Sequence, residues 1–393
     1  MTANKALADL HERAQAFALG CADAVEALDE EASARRAIEF LGAGDWLRWT
    51  VPAEFGGADN EGLTEADEVS VRALCSIRSG LAYASGMLDV MLVMQGLGSY
   101  PIARAGPAAL RAEVLPMVAQ GQRLAAFALT ETGAGSSLGE VATRAERNGD
   151  GWRLNGSKTF ISNAPVADFF SVLARTSGEP GDGDSNALTM FYVPGETRGL
   201  EVRPFEVMSP HPIGEVDFHD LNIPDEFRLG ELGSGLDLAL ATLARFRTSV
   251  AAAACGFSRR ALHESVRHLE SRKQFGRPLS SFQGLRFDLA EMDTKLSAAQ
   301  LLVDAASSAV DAGESGTREV ARAKLFATES ASWICDRAVQ HLGGLGVRRG
   351  EVVERLFREV RALRIYEGTS EVQKLILAKE LLASLRTTET KPV

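Results

Sequence analysis

The chain has 393 residues, with 42 Lys and Arg against 53 Asp and Glu, which gives a formal net charge of −11. Hydrophobic residues make up 45% and charged residues 24%. This composition is typical of globular proteins with a large buried core, and the length predicts two or three domains. The acidic balance argues against nonspecific nucleic-acid binding, which depends on clustered lysine and arginine.

The four cysteines, Cys21, Cys75, Cys255 and Cys335, are scattered along the chain with no close pair. The sequence therefore predicts neither a disulfide framework nor a CxxC site, and it fits a reducing compartment. The six histidines show no HxxxH spacing, so a metal enzyme is not expected.

The N-terminal stretch, residues 1–31, is rich in alanine and carboxylates and lacks the basic start and apolar core of a signal peptide. No run of about 18 uncharged apolar residues is present. The most apolar candidate, residues 236–255, is interrupted by Asp237, Arg245 and Arg247. We therefore expect no membrane insertion and a cytoplasmic location.

The first zone, residues 1–122, is typical of a helical domain. It is rich in Ala, Leu and Glu, and Pro or Gly interrupts it at 51–52, 56–57 and 100–101. Residues 81–97 are apolar nearly all round, which predicts a buried helix rather than a surface helix.

The second zone, residues 123–233, predicts a compact antiparallel β domain. Two Asn-Gly pairs, at 148–149 and 155–156, each adjoin a short strand-like run, and such pairs indicate hairpin turns. Residues 169–174 and 187–193 are apolar runs of strand length.

The third zone, residues 234–393, returns to a helical pattern. The expected helices cover 236–273, 282–312, 317–342 and 352–385, the last with a break near 367–368. The order of the zones predicts an α+β fold with an N-terminal helical domain, a middle antiparallel β domain and a C-terminal domain like a four-helix bundle. No GxGxxG motif follows a strand, which argues against a Rossmann domain.

Two segments of the second zone have residues suited to a cofactor. Gly133 and Gly135 lack a Cβ, so backbone N–H groups there can approach an anion, and Ser136 adds a hydroxyl donor. An ordinary Gly/Ser loop has the same composition. Phe160 and Ser162 are two residues apart on a predicted strand and would face the same side, suited to stacking on a flat cofactor. A half-buried strand explains them equally.

Two glycine-containing segments of the third zone have the same double interpretation. Arg272 could donate two hydrogen bonds to a phosphate. It could equally be a favourable cation in the last turn of a helix that ends at Gly276. The Gly-rich segment 340–346 lets a ligand touch the backbone, and equally serves as a tight connection between helices.

Glu367 is the residue best suited to acid–base chemistry. It follows the apolar Ile365 and Tyr366 and precedes Gly368, where a helix would otherwise continue. Desolvation raises the pKa of a carboxylate toward the range that a general base needs. A solvated loop glutamate is the alternative that the residues alone leave open.

Together, in this order and over nearly the whole chain, these segments resemble the acyl-CoA dehydrogenase family. The matching segments are residues 52–57, 130–136, 155–158, 161–163, 272–276, 282–283, 340–346 and 365–371. The resemblance agrees with the three zones, which we delimit as domains at 1–122, 123–233 and 234–393. It implies tightly bound FAD and α,β-dehydrogenation of an acyl thioester.

The resemblance also implies a role for each matching site residue. Glu367 would remove the α-proton while the β-hydrogen leaves as hydride to flavin N5. The residues implied at FAD are Phe127, Leu129, Thr130, Gly135 and Ser136 at the isoalloxazine and pyrophosphate; Phe160 and Ser162 behind the ring and at N5; Arg272, Gln274, Phe275, Gln283, Gln340 and Gly344 at the adenine half of FAD bound to a neighbouring subunit; and Thr369 and Glu371 beside the base. The substrate-binding residues would be Ser136, Arg247 and Gly368.

The chain departs from the common family pattern at several positions. Phe160 stands where many members have Trp, and Ser162 where Thr is common. Ser137 replaces a frequent Asp, Thr132 a frequent Pro, and Ala244 an acidic residue that several members have near CoA. These departures bear on the CoA contacts and not on the expected chemistry.

The sequence therefore predicts an FAD-dependent acyl-CoA dehydrogenase that forms a trans-2-enoyl-CoA in the degradation of fatty or other carboxylic acids. Shared cofactor sites imply a homotetramer, and the resemblance implies an electron-transfer flavoprotein as acceptor. The alternatives are a dehydrogenase of acyl-carrier-protein thioesters, a non-oxidative acyl-CoA lyase of the same family, and a flavin-bound binding or assembly protein. The net charge and the lack of a basic C-terminal extension argue against the nucleic-acid-associated branch.

Overall fold

The computed structural model describes residues 3–60, 63–64 and 68–389. The predicted N-terminal domain also includes residues 1–2, 61–62 and 65–67, which lie outside this described part. The chain divides into two compact units. The helical unit comprises Met1–Gly20, Val71–Gly86 and Arg247–Val393, and the sheet unit comprises Cys21–Ser70 and Met87–Phe246.

The helices of the described residues are α1 Ala3–Glu26, α2 Glu30–Ala43, α3 Val71–Ala84, α4 Gly86–Ala105, α5 Ala108–Ala119, α6 Gly235–Ser271, α7 Gln283–Asp311, α8 Thr317–Leu342, α9 Val352–Leu363 and α10 Ser370–Glu389. The strands are β1 Ala125–Ala128, β2 Arg144–Asn148, β3 Gly151–Ser162, β4 Phe169–Arg175, β5 Leu188–Pro194, β6 Leu200–Pro204, β7 Ile213–Pro224, β8 Arg228–Leu229, β9 Lys273–Gln274 and β10 Arg277–Pro278.

The sheet unit is built around an eight-stranded sheet in the order β6-β7-β3-β2-β4-β5-β8, with β1 paired to β4. Most pairings are antiparallel, whereas β1 pairs with β4, and β2 touches β4, in parallel. Strand β4 is buried along its whole length, as its mostly apolar sequence predicts, and its Ser171 and Arg175 are buried as well. The predicted order of helical, β and helical regions is confirmed, and the exact domain limits stay a prediction.

The two predicted Asn-Gly turns have different outcomes. The first is correct: Gly149 has φ +62° and joins β2 to its antiparallel neighbour β3. The second is wrong, because β3 continues through Gly156 to Ser162 and its register with β7 shifts there, as in a β-bulge. Gly156 has φ +147°, and a Cβ at this residue would lie 2.7 Å from the Thr143 Cα. A glycine is needed here for a close approach, not for a turn.

The helical unit is held by close helix packing. The alanines of α6 at 251–254 are completely buried in a core shared by α3, α7, α8 and α9. A Cβ on Gly256 would lie 2.3 Å from the Ser79 carbonyl oxygen, so α3 and α6 pack backbone to backbone. The first N–H groups of α3, from Val71 and Arg72, donate to the Asp311 carboxylate at the end of α7.

Three local predictions in the helical regions are wrong. The apolar run 81–97 is divided between α3 and α4 at Ser85 instead of forming one helix. Pro101 lies inside α4, so no break occurs at 100–101. Gly276 does not stop the long helix, which already ends at Ser271. Instead, Phe275 (φ +51°) and Gly276 (φ +79°) form the turn of the β9–β10 hairpin.

By length and composition, α6 is apolar enough to cross a membrane, and it is the only such helix in the described part of the chain. Of its most apolar 18-residue window, 61% is buried inside the protein. Core helices of globular proteins meet the same criteria, so this is weak evidence for a membrane span.

Candidate active site

The predicted site residues fall into two groups, one in each unit. The helical unit contains the predicted base and the residues implied at the adenine half of FAD. The sheet unit contains the residues implied at the flavin ring and pyrophosphate. Among the described residues, no cluster of three or more His, Cys, Asp or Glu side chains has a geometry that could hold a metal ion.

Glu367 lies in the short loop between α9 and α10, and its backbone conformation is unusual. Its φ is +51°, and the next residue, Gly368, has φ +93°. A non-glycine residue in this left-handed region costs about 1 kcal/mol or more, and such strain is concentrated at functional sites. A Cβ at Gly368 would lie 2.6 Å from the Gln373 amide nitrogen, so a larger residue would disturb the packing of this loop.

Two cations, the buried Lys324 and the half-buried Arg247, hold the backbone of this loop. Arg247 donates from Nε to the Glu367 carbonyl oxygen over 2.7 Å. Lys324, on α8, donates from Nζ to the Gly368 carbonyl oxygen over 2.6 Å, and Gln373 donates to the same oxygen over 3.0 Å. Charge-assisted hydrogen bonds of this kind are about twice as strong as neutral ones. The position of the glutamate is therefore fixed through its own main chain.

The electrostatics of these cations depend on burial and on the glutamate charge. Burial lowers the pKa of Lys324 to about 8, although the negative charge of Glu367 raises it. Burial also lowers the pKa of Arg247, again against the influence of Glu367. Both cations are thus desolvated beside the Glu367 carboxylate, whose negative charge favours their protonated forms.

Glu329, also on α8, joins the two ends of the loop. It accepts hydrogen bonds from Arg364 Nε over 2.9 Å and from Ser370 Oγ over 2.6 Å. The Ser370 N–H also donates to the Arg364 carbonyl over 3.0 Å. Thr369 caps α10 by accepting from the Val372 N–H over 3.3 Å. The loop that contains the glutamate is closed on itself and attached to α8.

The six residues implied at the adenine half of FAD are all exposed in the helical unit. They lie just after α6, in the β9–β10 hairpin, at the start of α7 and around the end of α8: Arg272, Gln274, Phe275, Gln283, Gln340 and Gly344. Phe275, at the hairpin turn, is 91% exposed. Its ring centroid is 6.2 Å from that of Phe282, and Arg277 lies 4.1 Å above the Phe282 ring.

The glycine loop of the sheet unit is held rigidly from its buried side. Lys158, completely buried, donates from Nζ to the Leu129 carbonyl over 2.9 Å and to Glu131 over 2.8 Å. Glu131 also accepts from the N–H groups of Ala142 and Thr143. Burial lowers the pKa of Lys158 to about 8 against the effect of Glu131. For Glu131, burial raises the pKa, but Lys158 and the hydrogen bonds outweigh burial and lower it.

This scaffold leaves an open surface suited to a cofactor. Gly133, Gly135 and Ser136 are exposed, and a Cβ at either glycine would meet no atom within 4 Å. Phe127 and Thr130, in the same stretch, are half-buried, and Leu129 is buried. Free backbone approach beside a hydroxyl is the chemistry that a pyrophosphate requires. The residues present therefore fit the phosphate part of FAD.

Phe160 and Ser162 lie at the end of β3, where the strand is irregular. Phe160 has φ +55° and is 62% exposed, and the register of β3 with β7 shifts between Lys158 and Ile161. Because β3 is irregular here, strand alternation does not place Phe160 and Ser162 on one face, contrary to the sequence-based prediction. An exposed ring next to a hydroxyl nevertheless fits a flat heteroaromatic ring.

Ser162 has a hydrogen-bond partner that the sequence did not predict. Its Oγ lies 3.2 Å from His211 Nε2, and His211 Nδ1 lies 3.0 Å from the Ser209 carbonyl oxygen. Lys324 and Glu329 were missed as well. Lys324 occupies a core position of α8 between Val320 and Ala327, and a lysine at such a position was the available signal.

Comparison with known proteins decides the family. The chain matches the acyl-CoA dehydrogenase N-terminal, middle and C-terminal domain models over residues 5–122, 126–221 and 233–382. The chain belongs to the acyl-CoA dehydrogenase family. The family is FAD-dependent and consists of oxidoreductases that act on CH–CH bonds, so the predicted family, fold class and enzyme class are confirmed.

Relatives from three bacteria are 36–39% identical to this acyl-CoA dehydrogenase family member. The 3-(aryl)acrylate reductase of Clostridium sporogenes is 39% identical over 84% of this chain and 86% of the relative. Benzylmalonyl-CoA dehydrogenase of Aromatoleum aromaticum is 39% identical over 80% and 83%. The caffeyl-CoA reductase–Etf complex subunit CarC of Acetobacterium woodii is 36% identical over 77% and 80%.

Solved structures agree over nearly the whole chain. A glutaryl-coenzyme A dehydrogenase in complex with glutaryl-CoA has a TM-score of 0.89 at 29% identity, covering 98% of this chain and 96% of that one. The FAD complex of PigA has a TM-score of 0.86 at 25% identity, covering 96% and 97%. These relatives support flavin-dependent acyl-CoA dehydrogenation as the general activity.

Proposed function

We propose that this chain dehydrogenates an acyl-CoA to the trans-2-enoyl-CoA with Glu367 as the base that removes the α-proton. The observation that carries the proposal is the strained, doubly anchored loop. Glu367 has φ +51°, its own carbonyl accepts from Arg247, and the carbonyl of the next residue, Gly368, accepts from Lys324. An ordinary surface glutamate needs neither the strain nor two desolvated cations.

The chemistry follows from the acidity of the substrate. The thioester carbonyl acidifies the α-hydrogen, and the Glu367 carboxylate takes that proton. FAD, when bound, would supply N5 as the acceptor for the β-hydrogen, which leaves the substrate as hydride. The anchored backbone keeps the carboxylate in a defined position, and the positive charges of Arg247 and Lys324 beside it favour the ionised form that takes the proton.

We assign the FAD contacts as the family resemblance implies them. In the sheet unit, the open glycine loop would bind the pyrophosphate, and Phe160 and Ser162 would lie at the flavin ring. Thr369 and Glu371 would contact FAD beside the base, and Arg247, Ser136 and Gly368 the substrate. The exposure and chemistry of these residues support this assignment, and FAD content after reconstitution tests it.

A homotetramer is the assembly we propose. The six residues implied at the adenine half of FAD are exposed, and Phe275 is 91% exposed at a hairpin tip. Exposed aromatic residues of this kind are typical of interfaces. Light scattering of the FAD-loaded protein tests this assembly: a tetramer supports it, and a monomer that retains FAD contradicts it. A cytoplasmic location remains part of the proposal.

The names of the relatives bear on the substrate and the electron acceptor. Three of them, at 36–39% identity, are named for aryl-bearing substrates. We therefore propose a 3-arylpropionyl-CoA as the substrate class to test first, with short, branched, cyclic and long acyl-CoAs beside it. One of the three is a subunit of an Etf complex, which supports an electron-transfer flavoprotein as the acceptor.

The test is an anaerobic titration of the FAD-loaded protein with this panel, followed by the loss of yellow flavin absorbance. The wild type should bleach with one acyl class, and Glu367→Gln should not. Glu314→Gln, on an exposed loop of the helical unit, is the matched control and should bleach like the wild type. Flavin that no acyl-CoA bleaches would favour a carrier-protein substrate, a non-oxidative lyase or an assembly role. A protein without flavin would refute the proposal.

A further inference from the structure

His211 makes two contacts that together determine which ring nitrogen has the proton. Its Nδ1 lies 3.0 Å from the Ser209 carbonyl oxygen, and a carbonyl oxygen can only accept. Nδ1 therefore has the hydrogen. In the neutral ring, Nε2 is then an acceptor, and it lies 3.2 Å from Ser162 Oγ. The Ser162 hydroxyl must therefore be the hydrogen-bond donor to His211 Nε2.

Burial favours this neutral ring, because desolvation lowers the pKa of His211 although its bond to Ser209 raises it. With its only hydrogen directed at the histidine, the Ser162 oxygen offers lone pairs alone to any other partner. A serine without this histidine could rotate its hydroxyl and act as either donor or acceptor.

We infer that His211 is a positioning residue that makes the Ser162 hydroxyl an obligatory acceptor toward flavin N5. The inference rests on the proposed function, in which Ser162 lies at N5. The N5 atom of oxidised flavin accepts a hydrogen bond, whereas N5 of the two-electron-reduced flavin donates one. A hydroxyl that can only accept therefore favours the reduced cofactor, and His211 raises the flavin reduction potential.

The test is the flavin midpoint potential of His211→Leu, measured by equilibration with a reference dye. Without the histidine, the hydroxyl is free to donate to oxidised N5. We expect the equilibrium to shift toward oxidised flavin by about tenfold, which is about 30 mV more negative for a two-electron couple. His211→Gln, whose side-chain oxygen can accept from Ser162, should keep most of the wild-type potential. His219→Leu, at an exposed histidine of β7, should not change it.

A double-mutant cycle separates this role from a general structural one. In a Ser162→Ala background there is no hydroxyl to orient, so His211→Leu should no longer shift the potential. An unchanged potential in His211→Leu, or an equal shift in the Ser162→Ala background, would overturn the inference while the proposed function stands. A wild type that binds no flavin would overturn the proposed function, and this inference with it.

Discussion

Replacing Lys324 with methionine removes a buried cation from beside the proposed base while keeping the approximate shape of the side chain. Lys324 is completely buried, and its Nζ donates to the Gly368 carbonyl over 2.6 Å. Gln373 donates to the same oxygen over 3.0 Å, so this carbonyl keeps a partner in the variant.

Two effects of similar size oppose each other in the stability of this variant. Burial lowers the pKa of Lys324 from 10.5 to about 8, which corresponds to about 3 kcal/mol against folding with a charged lysine. Between pH 8 and pH 10.5 the lysine is protonated in the unfolded state but largely neutral in the folded state. The penalty for burying its charge is therefore full below pH 8, and the free energy of unfolding rises as the pH rises from 8 to 10.5. Loss of a charge-assisted hydrogen bond removes about 1.5–3 kcal/mol. We expect the free energy of unfolding at neutral pH to change by less than about 1.5 kcal/mol.

The effect on the reaction should be much larger than the effect on stability. A loop that loses one anchor places the carboxylate less well, and we expect substrate to reduce the flavin about 10–100-fold more slowly. A carboxylate that loses a nearby cation also ionises at higher pH, so the acidic limb of the rate profile should move upward. Denaturant unfolding and stopped-flow reduction over a pH series measure both. Lys379→Met, at an exposed position of α10, is the control.

Two results would refute this reasoning. A loss of more than about 3 kcal/mol in the free energy of unfolding would make Lys324 a structural residue whose bond outweighs its burial. An unchanged reduction rate and pH profile would show that the anchor has no influence on Glu367.

Three further predictions concern stability. Glu131→Gln leaves the buried Lys158 without its carboxylate, and denaturant unfolding should show a loss of about 3–5 kcal/mol; wild-type stability would contradict the buried pair. Gly156→Ala should destabilise the sheet by about 2 kcal/mol or more because of the clash at the bulge, whereas Gly139→Ala, with open space around it, should change the melting temperature little. Burial lowers the pKa of His341 below 6.5, so as the pH falls the unfolded state binds the proton first and the free energy of unfolding decreases. His341→Gln should weaken this pH dependence, and identical pH profiles for the variant and the wild type would contradict the prediction.

Hydrophobic periodicity and glycine breaks were enough to predict the main helices. Helix α8 has the predicted limits, and α7 and the α9–α10 pair differ by a residue or two at most of their ends. These segments have strong local signals, because a helix satisfies its hydrogen bonds within itself.

The wrong predictions share a physical cause, which is that tertiary contacts decide what an ambiguous local signal does. Asn155-Gly156 fits both a turn and a bulge, and the close approach of Thr143 selects the bulge. Gly276 fits both a helix stop and a hairpin turn, and the pairing of β9 with β10 selects the turn. No local pattern distinguishes these outcomes.

The candidate site shows the same division between local and tertiary information. Glu367 was identified from its own segment together with the family resemblance. Lys324 is 44 residues away along the chain from its hydrogen-bond partner Gly368, and His211 is 49 residues from Ser162. Such pairs become visible only after the chain has folded, so Lys324 and His211 were not predicted.

The most direct test of Glu367 as the base is the rate of flavin reduction in a single turnover. FAD-loaded wild type and Glu367→Gln are mixed anaerobically with the acyl-CoA that bleaches the wild type, and flavin absorbance is followed by stopped flow. A positioned general base contributes about 10²–10⁴-fold, so the variant should reduce its flavin at least about 10²-fold more slowly while still binding FAD. Reduction at the wild-type rate by the variant would contradict the assignment of Glu367 as the base.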